Sequence, residues 1–219
     1  MTRGRWLTLT GWVGIAGPVL FTLAFVGQEL ARMEEYSPLA EQVSALEAGP
    51  SGWIQQVNFV VFGVLTMVFA VGLHQGLRPT RLGVIGPALF FVTGIAAFMV
   101  GAVFPLREDA AGVTYDPGGH LPGGLTFFLG SALALIVISF RVSRDPEWRS
   151  LTRYIVAAAV AMIVGNVVMG RFVIPDDAPL HDWAGLGQRI LVVGVLFPAR
   201  IALSYRLIRT AREQVVRPT

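Results

Sequence analysis

The sequence predicts an all-α integral membrane protein, in which one domain over residues 1–219 forms a bundle of six transmembrane helices. Composition is the first observation behind this prediction: 54% of the residues are hydrophobic and 14% are charged, whereas soluble domains average about 45–50% and 25%. Mean hydropathy is +0.63. These values exclude a soluble globule, a disordered tail and a nucleic-acid-binding module, although the calculated pI is 9.9.

The second observation is the length of the apolar runs. A helix needs about 20 mostly apolar residues to cross the hydrocarbon core of a bilayer. Arg3 and Arg5 precede the first run, which is too long for a secretion signal and is therefore interpreted as a retained span. The six runs leave no room for a separate soluble domain, and they are Leu7–Gly27, Ile54–Leu73, Gly83–Phe104, Leu121–Phe140, Tyr154–Ile174 and Ala184–Tyr205.

The third observation is the placement of arginine, since all 17 basic residues are arginine. Loops rich in basic residues stay in the cytoplasm. The opposite loops are rich in acidic residues, so both termini are predicted to be cytoplasmic and the acidic loops to lie outside. The arginines on the predicted cytoplasmic side are Arg3, Arg5, Arg78, Arg81, Arg141, Arg144, Arg149, Arg153, Arg206, Arg209, Arg212 and Arg217.

The first outer loop is predicted to contain a short amphipathic helix. Ser37 is a good N-cap and Pro38 a good first helical residue, and Gly49-Pro50 ends the segment. Helical spacing places Leu39, Val43 and Leu46 on one face, and Glu41, Ser44 and Glu47 elsewhere. Such a helix either lies on the outer membrane interface or caps the bundle as a lid.

Polar residues are concentrated in the outer halves of the predicted spans. Ionisable groups within a membrane are costly and raise a functional hypothesis. The inner halves hold little comparable beyond His74 and Arg200, which are close enough to the cytoplasm to snorkel. The outer group comprises Gln28, Glu29, Gln55, Gln56, Asn58, His120, Asn166, Arg171, His181, Asp182, Gln188 and Arg189.

Two interpretations of this asymmetry remain open. In one, Glu29 and Asp182 pair with Arg171 and Arg189 in a structural clasp that fixes helix register. In the other, the group lines an outward-opening pocket for an amphiphile, either one with an anionic head, which arginine forks suit, or an isoprenoid. For that pocket the candidate acid–base residues are Glu29, Asp182, His120 and His181, and the candidate ligand-binding residues are Arg171, Arg189, Gln55, Asn58, Asn166 and Gln188.

Other chemistries are weaker alternatives, and no cofactor is assigned. His120, His181 and a carboxylate supply ligands for a metal, but no close histidine pair pre-aligns them on one helix. The histidines lie at span ends, which disfavours haem. Ser37 or Ser44 with His120 provides a nucleophile and a base, although such serines are more often caps. With zero cysteines there is neither a disulfide framework nor thiol catalysis.

A resemblance to a known family rests on a motif in the first outer loop. This motif consists of Tyr36-Ser37-Pro38-Leu39, Val43-Ser44-Ala45-Leu46, Gly49-Pro50, Gly52-Trp53, Gln55 and Asn58-Phe59. It resembles a bacterial family of six-span membrane proteins known as domain of unknown function 998. The resemblance extends over nearly the whole chain through Phe104-Pro105, His120, Ala184-Gly185-Leu186 and Gln188-Arg189. The resemblance implies the six-span architecture and no particular activity.

Three classes of function follow from these patterns. The first is an enzyme that acts on a lipid or isoprenoid by acid–base chemistry, by analogy with membrane terpene cyclases. The second is a non-catalytic scaffold or a lipid- or partner-binding protein. The third, a transporter, is disfavoured because the polar groups stop partway across the membrane and no repeat is detectable. The bilayer is the one partner that the composition itself implies, and oligomeric state is left open.

Overall fold

Six helices in the described part of the chain are long and apolar enough to cross a membrane, as the sequence predicts. The structure is a computed structural model that describes residues 2–77, 80–175 and 177–216. Arg78 and Arg217, which contribute to the predicted orientation, lie outside the described residues. The first five spans are α1 Arg3–Ala31, α2 Trp53–Gly76, α3 Leu82–Ala102, α4 His120–Val142 and α5 Thr152–Val168.

The sixth span is built from three consecutive segments. α6, Ala184–Arg189, continues through a π-helical segment, Ile190–Leu196, into α7, Phe197–Val216. Pro198 lacks the N–H that would bond to the carbonyl of Gly194, which favours a widened turn just before it. α5 also ends in a π-helical segment, Met169–Val173. The apolar runs alone gave no signal for either widened segment.

Helices that are consecutive in the chain pack side by side, and α7 packs on α1 and closes the bundle. We name the two ends of the bundle by what they hold. The loop end carries the connections α1–α2, α3–α4 and α5–α6. The terminal end carries the start of α1 and the end of α7, and there the Arg3 side chain donates to the carbonyl of Gln75 at 3.0 Å.

The core combines close backbone contact with aromatic packing. A Cβ added at Gly63 of α2 would lie 2.6 Å from the carbonyl oxygen of Gly94 in α3, so these two helices touch through their backbones. Phe62 lies at the centre of an aromatic group, with its ring 4.8 Å from that of Phe21 and 5.4 Å from that of Phe197. Small residues let membrane helices approach in this way without any polar contact.

The first loop differs from the predicted helix. Its helical part is a 3-10 helix, Val43–Glu47, which begins five residues after Pro38. Leu39 is exposed, whereas Ser44 and Glu47, placed by the prediction away from the apolar face, are buried. Local spacing favours an α-helix, but contacts with α1, α2, α4 and α6 hold the segment in a tighter turn on top of the bundle.

The connection between α3 and α4 contains an unpredicted β-hairpin. β1, Arg107–Glu108, pairs antiparallel with β2, Thr114–Tyr115. Asp116 then precedes α4, and its carboxylate accepts hydrogen bonds from the backbone N–H groups of Gly118, His120 and Leu121. Burial acts to raise the pKa of Asp116, but these three backbone hydrogen bonds outweigh it and hold that pKa below its ordinary value.

Candidate functional site

Arg189 is the centre of a polar cluster at the loop end. Its Nε donates to Oε1 of Glu29 at 3.1 Å, and its Nη2 pairs with the same oxygen. Nη2 also donates to the Tyr36 hydroxyl at 2.6 Å, and Nη1 donates to the carbonyls of Gly185 at 2.8 Å and Glu41 at 3.0 Å. We call these five residues the Arg189 cluster. It ties α1, the first loop and α6 together.

The Arg189 guanidinium has no donor left for a ligand. Arginine carries five N–H donors, and the contacts to Glu29, Tyr36 and the two carbonyls use all of them. The Tyr36 hydroxyl in turn donates towards the carbonyls of Glu41 and Gln42. Burial raises the pKa of Tyr36 to about 12, although the Arg189 charge acts in the opposite direction. The raised pKa keeps the phenol protonated and therefore a hydrogen-bond donor.

Backbone contacts press the first loop onto the start of the sixth span. The N–H groups of Gly185 and Leu186 donate to the carbonyls of Ala40 and Leu39, at 3.1 and 2.9 Å. The Gln188 side chain accepts from the N–H of Val43 at 2.7 Å. A Cβ at Gly185 would lie 2.3 Å from the Glu41 carbonyl oxygen, so only glycine permits this approach.

A second polar pair joins the first loop to α4. Nδ1 of His120 lies 3.2 Å from Oε2 of Glu47, and that carboxylate also accepts from the N–H of Leu106 at 3.1 Å. The Glu47 side chain is fully buried. Burial raises the pKa of Glu47 above its ordinary value, although the hydrogen bond and charge of His120 act in the opposite direction.

A cavity of about 380 Å³ lies beneath the Arg189 cluster and the pair of His120 with Glu47. It lies between α4, α5 and the π-helical part of the sixth span, with α1, α2 and α3 behind it and the 3-10 helix above. Both π-helical segments contribute to its wall. Its apolar wall includes Phe21, Phe25, Phe59, Phe62, Val100, Leu121, Leu125, Phe127, Phe128, Met169, Leu191 and Phe197, and its polar lining is Gln42, Ser44, His120, Asn166, Gln188 and Arg189.

The structure brings together part of the predicted site. The cavity is lined by four of the predicted residues, His120, Asn166, Gln188 and Arg189. Glu29 pairs with Arg189, a contact that the structural-clasp interpretation of the sequence requires. Asn166 remains half-buried, and its side chain donates to the carbonyl of Met162 at 2.7 Å. The polar groups thus meet at one end of an otherwise apolar space.

The remaining predicted residues lie elsewhere. Gln55 and Asn58 are buried and hydrogen-bonded to each other at 3.1 Å, and Asn58 also donates to the carbonyl of Phe21, so they fasten α2 to α1. Arg171, His181 and Asp182 are exposed and do not line the cavity. Among the described residues Arg171 therefore pairs with neither Glu29 nor Asp182: it is exposed on the π-helical segment Met169–Val173, and Glu29 is paired with Arg189.

Sequence reasoning missed Tyr36 and Glu47 at the polar end and gave Ser44 only as a weaker candidate nucleophile. Tyr36 and Glu47 are buried between elements far apart in the chain, and Ser44 lines the cavity. The one available signal was that Ser44 and Glu47 lie three residues apart next to Gly49, inside the motif that carries the family resemblance. The predicted helix places both away from its apolar face.

Arg200 also departs from expectation, because it does not snorkel to the terminal end. Only 2% of the residue is exposed. Its Nη1 donates to the Thr66 hydroxyl at 2.6 Å, and its guanidinium lies 5.1 and 5.0 Å from the rings of Phe62 and Phe69. Aromatic faces and one hydroxyl therefore surround this cation within the core.

Comparison with known proteins identifies the family. The profile of the family described as "Protein of unknown function (DUF998)" matches residues 15–203, and the chain belongs to that family. No curated protein and no solved structure matches it significantly. The protein is thus a membrane protein of a family of unknown function, with six helices able to span the bilayer.

Proposed function

We propose that the cavity binds the apolar tail of a membrane amphiphile and holds its polar head beneath the first loop. One observation carries this proposal: a space of about 380 Å³ with aromatic and aliphatic walls has polar side chains at one end only. Small-molecule sites typically occupy about 300–1,000 Å³ and combine apolar walls with a few convergent polar groups. A lipid or an isoprenoid has this division between tail and head.

The head that suits this site is neutral rather than anionic. The Arg189 charge is paired with Glu29 and its donors are all engaged, so it offers no fork to a phosphate or carboxylate. The polar side chains that remain in the lining are those of Gln42, Ser44, His120, Asn166 and Gln188. These recognise a hydroxyl, an ester or an amide. The ligand class we favour is therefore an isoprenoid alcohol or a neutral lipid.

Entry from the bilayer explains how such a ligand reaches the cavity. The buried residues of α4 all lie between Ser131 and Val142, and those of α5 end at Met162. Neither helix has a buried residue nearer the loop end, which leaves that part of both helices open to the bilayer. Leu121, Leu125 and Leu129 line the cavity and are half exposed, so this stripe of α4 forms the edge of a lateral opening.

Native mass spectrometry of the protein released from mild detergent tests this proposal. Gly124 lines the cavity and no atom lies within 4 Å of a Cβ added there, so Gly124→Leu places a side chain at an open position of the cavity wall. We expect a stoichiometric adduct on the wild type that falls at least tenfold in Gly124→Leu. Gly27→Leu is the matched control, because Gly27 is equally open but exposed on α1.

The outcomes separate ligand binding from its main alternative. An adduct that survives Gly124→Leu, or a bare wild-type spectrum, would contradict the proposal. A bare spectrum favours a non-catalytic scaffold or partner-binding protein, and a specific observation supports that candidate: the Arg189 cluster is complete without any ligand. In that case the cluster serves as a structural clasp alone.

We also propose that the protein lies in a bacterial plasma membrane with both termini in the cytoplasm. The terminal end carries Arg3, Arg5, Arg144, Arg149 and Arg153 on the described part of the chain, and basic residues favour the cytoplasmic side. The cavity and the first loop then open towards the outer leaflet. A ligand would enter from that leaflet.

A further inference from the structure

Ser44 and Glu47 project from the same side of one short helix. They lie three residues apart in the 3-10 helix Val43–Glu47, and a 3-10 helix has three residues per turn, so side chains at i and i+3 are eclipsed. Glu47 contacts His120, and both Ser44 and His120 line the cavity. A hydroxyl and an imidazole therefore line the polar end of the cavity, and a buried carboxylate contacts the imidazole.

The surroundings of His120 fix its tautomer. Two acceptors face Nδ1, the Glu47 carboxylate at 3.2 Å and the carbonyl of Phe104 at 3.1 Å. Nδ1 must therefore carry the proton, which leaves the lone pair of the neutral ring on Nε2. A carboxylate that orients an imidazole by its Nδ1–H, with Nε2 free as a base, is the arrangement that activates a hydroxyl nucleophile.

The Gln188 side chain is oriented in the same manner. Its Oε1 accepts from the N–H of Val43 at 2.7 Å, so its NH₂ group points the other way. Gln188 lines the cavity and is bonded to the residue that precedes Ser44. An amide donor held next to a nucleophile can stabilise the charge that develops on an attacked carbonyl oxygen.

We propose that the polar end of the cavity is a serine hydrolase site for neutral lipid esters, in which Ser44 is the nucleophile, His120 the general base and Glu47 the positioning residue. The proposal rests on the proposed function, because the cavity must hold the apolar chain of the ester. Gln188 donates to the carbonyl oxygen. The Ser44 hydroxyl has no hydrogen-bond partner among the residues that the structure describes, His120 included, so the proposal requires it to turn towards Nε2 of His120 when the ester binds.

The reaction needs only the ester and water. Ser44 Oγ attacks the ester carbonyl carbon while Nε2 of His120 takes the hydroxyl proton, and the oxyanion forms against the Gln188 amide. The bond from carbon to the alcohol oxygen then breaks, and His120 returns the proton to the leaving alcohol. Water attacks the acyl–Ser44 ester by the same route, which releases the carboxylic acid and restores the Ser44 hydroxyl.

A fluorophosphonate probe, added to the full-length protein in detergent micelles, tests the nucleophile. We expect one phosphonyl group on the wild type, located on Ser44 by peptide mass spectrometry, and none on Ser44→Ala. Ser37→Ala is the matched control, because Ser37 is an exposed serine in the same loop and its loss leaves labelling unchanged. Labelling that persists in Ser44→Ala, or no labelling of a folded wild type, would overturn the hydrolase assignment.

Hydrolysis of a p-nitrophenyl ester of a medium-chain fatty acid tests the other roles. Ser44→Ala should lower the rate roughly 10³-fold or more, at an unchanged unfolding temperature. Glu47→Gln should lower kcat and move the acid limb of the pH–rate profile to lower pH, because a carboxylate stabilises the imidazolium. A profile that Glu47→Gln leaves unmoved would overturn the role given to Glu47.

The lipid adduct separates this proposal from the proposed function. If the adduct is present on wild type and Ser44→Ala but the probe and the ester do not react, the cavity binds and does not hydrolyse. If neither adduct nor reaction is found, both proposals fail together.

Discussion

At the scale of single residues, the ion pair between Arg189 and Glu29 costs free energy both when its two charges are buried and when either partner is removed. The two side chains are 14% and 11% exposed. Such a pair gives up the hydration of both charges, and its attraction offsets this only with good geometry and further hydrogen bonds. Tyr36 and the carbonyls of Glu41 and Gly185 supply those bonds. The cluster therefore specifies how three elements meet more than it adds net stability.

A double-mutant cycle should measure this coupling. Arg189→Met or Glu29→Leu alone leaves an unpaired charge, and we expect each to lower the free energy of unfolding by about 3–5 kcal/mol. The double variant should lose clearly less than the sum. Tryptophan fluorescence during denaturant unfolding in detergent micelles measures each value.

The matched control for this cycle is Arg171→Met. Arg171 is exposed and stacks at 5.8 Å on the neighbouring Phe172 ring, outside the cluster. Its replacement should change the free energy of unfolding by about 0.5 kcal/mol or less. Strict additivity of the Arg189 and Glu29 variants would show that their ion pair is not coupled.

At the scale of elements, the first loop is shaped by its contacts with the sixth span. Gly185→Ala should separate them, since the new Cβ would lie 2.3 and 2.5 Å from the carbonyl oxygens of Glu41 and Pro38. Backbone on both sides gives little room to relax, and we expect a loss of about 1–3 kcal/mol. Trypsin should then cleave faster after Arg32, whose side chain donates to the loop carbonyl of Ala48 at 2.9 Å.

Gly194→Ala controls for the effect of adding a methyl group to the same span. No atom lies within 4 Å of a Cβ at Gly194. Alanine is a better helix former than glycine by about 0.5–1 kcal/mol, so this variant should be neutral or slightly more stable. Equal cleavage rates in the Gly185 and Gly194 variants would contradict the role given to the loop contact.

The same contacts explain which elements were predictable. The six spans follow from runs of apolar residues, a signal contained within each segment. The 3-10 helix does not, because Gln188 and Gly185 hold it from about 145 positions further along the chain. The burial of Glu47 likewise depends on His120, in another connection. The direction of the Asp182 side chain depends on how the sixth span is rotated within the bundle. The spacing of residues along that span does not give this rotation.

At the scale of the whole molecule, the bundle is asymmetric from one end to the other. The aromatic group around Phe62 separates the cavity from the terminal end. The loop end holds the ion pair of Arg189 with Glu29 and the contact of His120 with Glu47, and the terminal end holds the ion pairs of Arg141 with Asp145 and of Arg206 with Glu213. No polar path joins the two ends through the described residues that line the cavity. This arrangement favours a site reached from one leaflet over a transport route.

Cysteine labelling should establish which leaflet the cavity serves. The chain contains zero cysteines, so single-cysteine variants need no background substitutions. Ala110, next to the acidic β-hairpin, and Ser150, between Arg149 and Arg153, are both exposed and lie at opposite ends of the bundle. In intact spheroplasts, a membrane-impermeant maleimide should label Ala110→Cys and not Ser150→Cys.

Permeabilised spheroplasts provide the control, since both variants should then be labelled equally. The expected pattern follows from the arginines that flank Ser150, because basic loops are retained on the cytoplasmic side whereas acidic residues contribute little. The opposite pattern would place the first loop in the cytoplasm. The cavity would then open to the inner leaflet, and its ligand would have to be sought among the lipids of that side.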